Sequence, residues 1–183
     1  MTTQLLLAIR NRASLEEIQE LINAQQDINE LDFYGQTPLM VATCLNNKAI
    51  PLLMTHPKLD VNKTNASGKT ALFDAALLGL DLSLFLERSE IDVNAQDGHG
   101  NTPLYSTILF NRRSTINQLL ADPRTDLSLK NNYGRTVVEH TKRVEPKILP
   151  LFKLEIMTLM SPKVVTRLGG TSVTRLPTEI MLL

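Results

Sequence analysis

Chemistry in a chain of this kind would begin at histidine, cysteine or paired carboxylates. There are three histidines and one cysteine among 183 residues. His56, His99 and His140 are scattered, and no thiol or carboxylate pattern accompanies them. A nucleophile needs a base within hydrogen-bond reach, so no catalytic arrangement is read here and the chain is expected not to be an enzyme. A metal site needs clustered ligands, and a lone Cys44 does not supply them. Neither metal nor cofactor is expected. Gly98-His99-Gly100 has neither the spacing of a phosphate-binding loop nor a dinucleotide fingerprint. It reads as a turn that carries His99 outward to solvent. Cys44 reads as a small packing residue near a helix end rather than a reactive thiol.

The residues that do recur have a different use. Gly35-Gln36-Thr37-Pro38-Leu39 returns as Gly68-Lys69-Thr70-Ala71-Leu72, Gly100-Asn101-Thr102-Pro103-Leu104 and, worn, Gly134-Arg135-Thr136-Val137-Val138. These glycines lie 33, 32 and 34 residues apart. Asp27-Ile28-Asn29, Asp60-Val61-Asn62, Asp92-Val93-Asn94 and Asp126-Leu127-Ser128 keep the same beat. Two phrases in register at one period define a repeat array. Glycine permits the positive φ of a tight turn. Threonine can cap the following helix, with proline pre-organised at its first position.

Gly-x-Thr-Pro-Leu, an Ala-bearing helix, a Leu-Leu helix and Asp-Val-Asn together resemble the ankyrin repeat, over residues 1–160. The fold class implied is an all-α ankyrin solenoid of helix-turn-helix units joined by β-turn and hairpin loops. Residues 1–31 read as an N-terminal capping helix pair, with a first helix over 2–11 and a capping box at Ser14 and Glu17. Residues 32–64, 65–96 and 97–130 read as repeats. In the first, the outer helix is expected over 47–55. In the second, Gly79 should stop the inner helix and Leu82, Leu84, Phe85 and Leu86 should supply the outer one. In the third, Thr107 and Ile108 replace the usual Ala-Ala, which predicts looser packing. Residues 131–160 read as a degenerate capping repeat. There Pro146 opens a helix carrying Ile148, Leu149, Leu151, Leu154, Ile156 and Leu159, broken or kinked at Pro150. A helix lying on a membrane is the alternative for this last segment.

Net charge is zero, but residues 1–100 carry 7 Lys/Arg against 13 Asp/Glu and residues 101–183 carry 12 against 6. Drift along solvated faces and a polarised surface that steers a partner both fit this split. The basic residues have no aromatic interleaving, so no nucleic-acid partner is expected. No apolar run approaches the ~20 residues needed to span a bilayer, so no membrane partner is expected either. The start of the chain lacks a signal peptide. One cysteine fits a reducing, cytoplasmic compartment, or the host cytoplasm for an effector secreted by another route.

The resemblance implies recognition of a client protein on a concave side made of turn tips and inner helices. Carried over position by position, the tip residues are Phe33, Tyr34, Gln36, Ser67, Lys69, His99, Asn101, Tyr133 and Arg135. Phe33 and Tyr34 read either as hot spots or as covers of the neighbouring cap. Cys44-Leu45, Leu77-Leu78 and Leu109-Phe110 fall at one helix position and would stack into an apolar ridge, with Leu78 and Phe110 its contact residues, unless the outer helices cover it. The resemblance also implies hydroxylation at Asn94, and at Asn62 second, although each Asn could instead tie its hairpin. Residues 161–175 read as a linker. Within 176–183, Leu176, Pro177, Glu179 and Ile180 resemble the opening of an F-box-like element, which would dock a Skp-type adaptor of a cullin–RING ubiquitin ligase. A proline-started helical tail is the alternative.

Overall fold

The computed structural model describes residues 3–24, 27–45 and 47–152. The chain divides into two units, residues 1–137 and 138–183. In the first unit, helices come in pairs: α1 (Gln4–Arg10) and α2 (Leu15–Asn23), α3 (Pro38–Cys44) and α4 (Ile50–Met54), α5 (Ala71–Leu78) and α6 (Ser83–Leu86), α7 (Pro103–Leu109) and α8 (Arg113–Ala121). Helices α1, α3, α5 and α7 pack side by side in that order and form an inner row. Their side chains leave almost no polar surface inside: Pro38 to Thr43 and Pro103 to Ile108 are buried without a break. A helix that is apolar all round must be covered on both sides, and stacking supplies the cover.

Each inner helix starts as the phrase requires. The hydroxyls of Thr37, Thr70 and Thr102 accept the backbone N–H of Met40, Phe73 and Tyr105, each at 3.2 Å. Such a cap is worth ~1 kcal/mol. Helix α5 ends at Gly79, whose φ is +76°. The equivalent left-handed positions after α1 and α7 hold Arg12 (φ 55°) and Asn111 (φ 52°).

Several sequence expectations need correction. The Ser14 hydroxyl caps α2 by accepting the Glu17 N–H at 3.1 Å, but the box is not reciprocal. The first outer helix is shorter than 47–55, because the Asn47 carboxamide accepts the Ala49 N–H at 2.9 Å and holds those residues in a turn. Helix α6 is shorter still. Asp81 accepts both the N–H and the hydroxyl of Ser83 there, while Leu84 stays exposed. Thr107 and Ile108 do not loosen the third inner helix: both are buried, and the Thr107 hydroxyl donates to the Leu104 carbonyl at 2.8 Å.

Consecutive pairs are joined by a ladder of asparagine side chains. Asn29 Nδ2 donates to the Lys58 carbonyl and its Oδ1 accepts the Asp60 N–H, both at 2.7 Å. Asn62 does the same to Glu90 and Asp92, and Asn94 to Arg124 and Asp126, at 2.7 and 2.8 Å. Ser128, next in the series, turns its hydroxyl back onto Asp126 at 2.6 Å. Arginines add a second set of ties. Arg88 donates to the Met54 carbonyl at the end of α4. Arg124 donates to the carbonyls of Leu86 and Arg88 at 2.8 Å, while Asp122 holds it at 2.7 Å. Carbonyls left over at helix ends are thereby satisfied by the following pair.

The second unit contributes α9 (Val137–Val144), in which Glu139, Lys142 and Arg143 are exposed and His140 and Thr141 are buried. A 3-10 helix follows over Pro146–Phe152 with Pro150 inside it and Ile148 and Phe152 buried. The helix expected from Pro146 is a 3-10 helix as far as it is described, and Leu154, Ile156 and Leu159 lie outside the described residues. Among the described residues there is no β-strand, only an antiparallel bridge between Lys130 and Thr136. None of the described helices is long and apolar enough to cross a membrane.

Candidate functional site

The tips are built on one device used four times. Asp32 Oδ1 accepts the N–H groups of Tyr34 and Gln36, both at 2.8 Å. Asn65 does this for Ser67 and Lys69, Asp97 for His99 and Asn101, and Asn131 for Tyr133 and Arg135, at 2.9 to 3.1 Å. These side-chain bonds close the turn, and a glycine at φ +72 to +76° completes each one. The Asp or Asn three residues before each turn glycine was the missed signal. It keeps the period of the other two phrases, but its role shows only once the turn is closed. Arg10 pairs with Asp32 at 2.5 Å, which fixes the first tip against α1.

Neighbouring tips are tied to one another. The Gly98 N–H donates to the Ser67 carbonyl at 2.8 Å, and the Asn132 N–H to the His99 carbonyl at 3.0 Å. Asn132 Nδ2 donates to the Gly98 carbonyl at 3.1 Å, and Asn131 Nδ2 to Asn101 Oδ1 at 3.0 Å. Asn101 therefore belongs to the scaffold as much as to the surface. Lys69 leans back over the Phe73 ring, 5.5 Å from its centroid.

The aromatic tip residues point into solvent. Phe33 is 94% exposed and Tyr34 is 66% exposed, and their rings meet edge to face with centroids 5.6 Å apart. They do not cover the neighbouring cap. Tyr133 is 72% exposed, and Arg135, Ser67 and His99 are exposed too, while Gln36 is half-buried. At the far ends of the inner helices, Leu78 and Leu109 are exposed and Phe110 is 61% exposed, with Leu45 and Leu77 half-buried. The outer helices leave this end of the ridge uncovered.

Cys44 is surface-exposed, with Sγ 3.9 Å from Asp74 Oδ2. Desolvation, the Asp74 charge and the hydrogen bond to Asp74 all push its thiol pKa up. An activated thiol requires the opposite shift. Burial also pushes the Asp74 carboxyl up, against the pull of Lys69 and the thiol. Among the described residues, no group of three or more His, Cys, Asp or Glu could hold a metal ion. Asn62 and Asn94 are committed through both ends of their carboxamides to the ladder. Leu176, Pro177, Glu179 and Ile180 lie outside the described residues.

Helix pairs stacked through an inner row, with turn tips closed by Asp or Asn and a Thr-capped helix after the first three, define a class of helical repeat arrays. The chain belongs to the ankyrin-repeat family: the family model described as ankyrin repeats in three copies matches residues 5–97. It is 33% identical over 130 residues to the ankyrin repeat protein YahD of Escherichia coli (strain K12), covering 67% of this chain and 64% of that one. It is 33% identical over 131 residues to a Dictyostelium discoideum protein described as a probable serine/threonine-protein kinase, covering 64% of this chain and 15% of the relative. It is 28% identical over 93 residues to NF-kappa-B inhibitor delta of Mus musculus, covering 49% and 28%. The chain thus spans less than two thirds of each of these relatives. Ankyrin repeats serve protein–protein interaction, and a protein partner is the function that membership carries.

Proposed function

We propose that the chain is a non-catalytic recognition module that binds a client protein on the side formed by its tips and inner helices. The observation that carries this reading is the exposure of Phe33, Tyr34 and Tyr133 on turns held rigid by side-chain and backbone hydrogen bonds. Large aromatic side chains on a fixed scaffold lose little entropy on binding and are typical interface hot spots. Ser67, His99 and Arg135 extend the row, and Leu78 and Phe110 add apolar area beyond it. Affinity capture from a eukaryotic lysate tests the reading, comparing the wild-type chain with Tyr34→Ala and Tyr133→Ala. Each substitution removes ~1–2 kcal/mol of binding to a client held at the tips. Clients retained equally by all three proteins would place recognition elsewhere.

The alternative reading makes the array a substrate receptor of a cullin–RING ubiquitin ligase, as in a host-directed effector. It rests on the phrase Leu176-Pro177-Thr178-Glu179-Ile180 alone. Comparing the full chain with one ending at Ser161 tests it. A Skp-type adaptor captured only by the full chain supports it, and identical partners on both chains overturn it. Hydroxylation at Asn94 or Asn62 is a separate proposal, and mass spectrometry showing no oxygen gain after exposure to an asparaginyl hydroxylase would end it.

A further inference from the structure

The ridge at the ends of the inner helices is not simply apolar. The Arg12 guanidinium donates to the Leu45 carbonyl at 3.0 Å, and Arg112 Nε donates to the Leu77 carbonyl at 2.8 Å. Two cations are therefore fixed directly against the ridge. The Arg112 side chain runs beside Gly79, 3.6 Å from where a Cβ would stand. Arg113 follows immediately, exposed, one turn of chain beyond Phe110. Among the described residues, none of Arg12, Arg112 and Arg113 has a carboxylate partner. Two carboxylates stand near the ridge and have other partners: Asp74 lies 3.9 Å from the Cys44 thiol, and Asp81 accepts from Ser83. Asp32 and Asp97 are used inside tip turns, and Glu16, Glu17 and Glu20 stand on α2, an outer helix.

Resting on the recognition reading above, we infer that the ridge of Leu45, Leu78, Leu109 and Phe110 takes an acidic segment of the partner protein, one that alternates carboxylates with large apolar side chains. The apolar groups lie on the leucines and Phe110, where burial supplies affinity. The carboxylates meet Arg12, Arg112 and Arg113, whose planar donor sets suit bidentate contact and whose field speeds encounter. The ridge is mostly aliphatic and offers no run of aromatic platforms for bases, so a protein segment fits it better than single-stranded nucleic acid.

A displayed library of short random peptides, selected against the whole chain, tests this. The selected peptides are expected to be rich in Asp and Glu with Leu, Ile or Phe between them, and to bind more weakly as salt rises. Phe110→Ala is expected to weaken the best of them about tenfold, and Arg113→Glu by a comparable factor. Neither change disturbs the fold: Phe110 is exposed, and Arg113 is the first residue of α8, where a negative charge suits the helix terminus. Thermal melts of both variants check this. Selection of neutral or basic peptides, or equal binding by both variants and the wild type, overturns the inference. So does stronger competition by an oligodeoxynucleotide or by phosphatidylserine vesicles than by the acidic peptide. Clients that depend on Tyr34 and Tyr133 but are not displaced by the acidic peptide overturn this inference and leave the recognition reading standing. Clients indifferent to the tips and to the ridge overturn both.

Discussion

Asp74 shows how a single residue in the inner row sets a pH dependence. Burial raises its pKa above the ordinary value of 3.8, and Lys69 and the Cys44 thiol only partly offset the shift. The folded chain therefore holds this proton more tightly than the unfolded chain does. Stability falls as pH rises from the ordinary carboxylate range through the raised value, and the cost persists at neutral pH. Asp74→Asn is expected to stabilise the protein at neutral pH. The gain should shrink as acid protonates the wild-type carboxyl below both pKa values. Urea melts at neutral and acid pH measure this, and a gain that grew in acid would contradict the assignment. At the same scale, Arg135→Ala should weaken client binding by ~1–2 kcal/mol if its exposed guanidinium is part of the tip site. A titration against a captured client measures the change.

At the scale of the element, the turn tips separate two costs that usually come together. Gly100 and Gly134 have nearly the same φ, +74° and +72°, so alanine is strained equally in both. A Cβ on Gly100 would lie 2.8 Å from the Asn132 backbone nitrogen, whereas one on Gly134 meets nothing within 4 Å. Gly134→Ala should cost ~1 kcal/mol for the left-handed backbone. Gly100→Ala should cost that and ~1–3 kcal/mol more, because the neighbouring tip must move. Denaturant midpoints of the two variants decide it. These elements were legible in sequence where a local rule governs them, as at the Thr caps of α3, α5 and α7 and at Gly79. Sequence failed where contacts came from another pair. The lengths of α4 and α6 are a different failure, because the turns at Asn47 and Asp81 that shorten them are local. Exposure of Phe33 depends on what does not pack against it. The arginine ties from Arg88 and Arg124 join residues more than thirty positions apart and have no local signature.

In an array, each pair touches only its neighbours, so stability is close to a sum of local terms and interface terms. Arg124 sits on one such interface, reaching Leu86, Arg88 and Asp122 together. Arg124→Ala should cost ~2 kcal/mol, in the range for hydrogen bonds to a charged group. Hydrogen exchange should show the loss first in α6 to α8, with α1 and α3 protected longer. Uniform loss across the first unit would mean that the pairs unfold as one body instead.

The asparagine ladder gives the array a rule for elongation. Each carboxamide grips two defined points, one carbonyl and one N–H two residues later, so a following pair can dock in one register and no other. Because Asn29, Asn62 and Asn94 make identical grips, a pair copied from the middle of the series carries its own socket and its own key. Such a chain can gain or lose a unit without relearning how units join. At Ser128, the next position in the series, a hydroxyl that donates to Asp126 stands in place of the carboxamide.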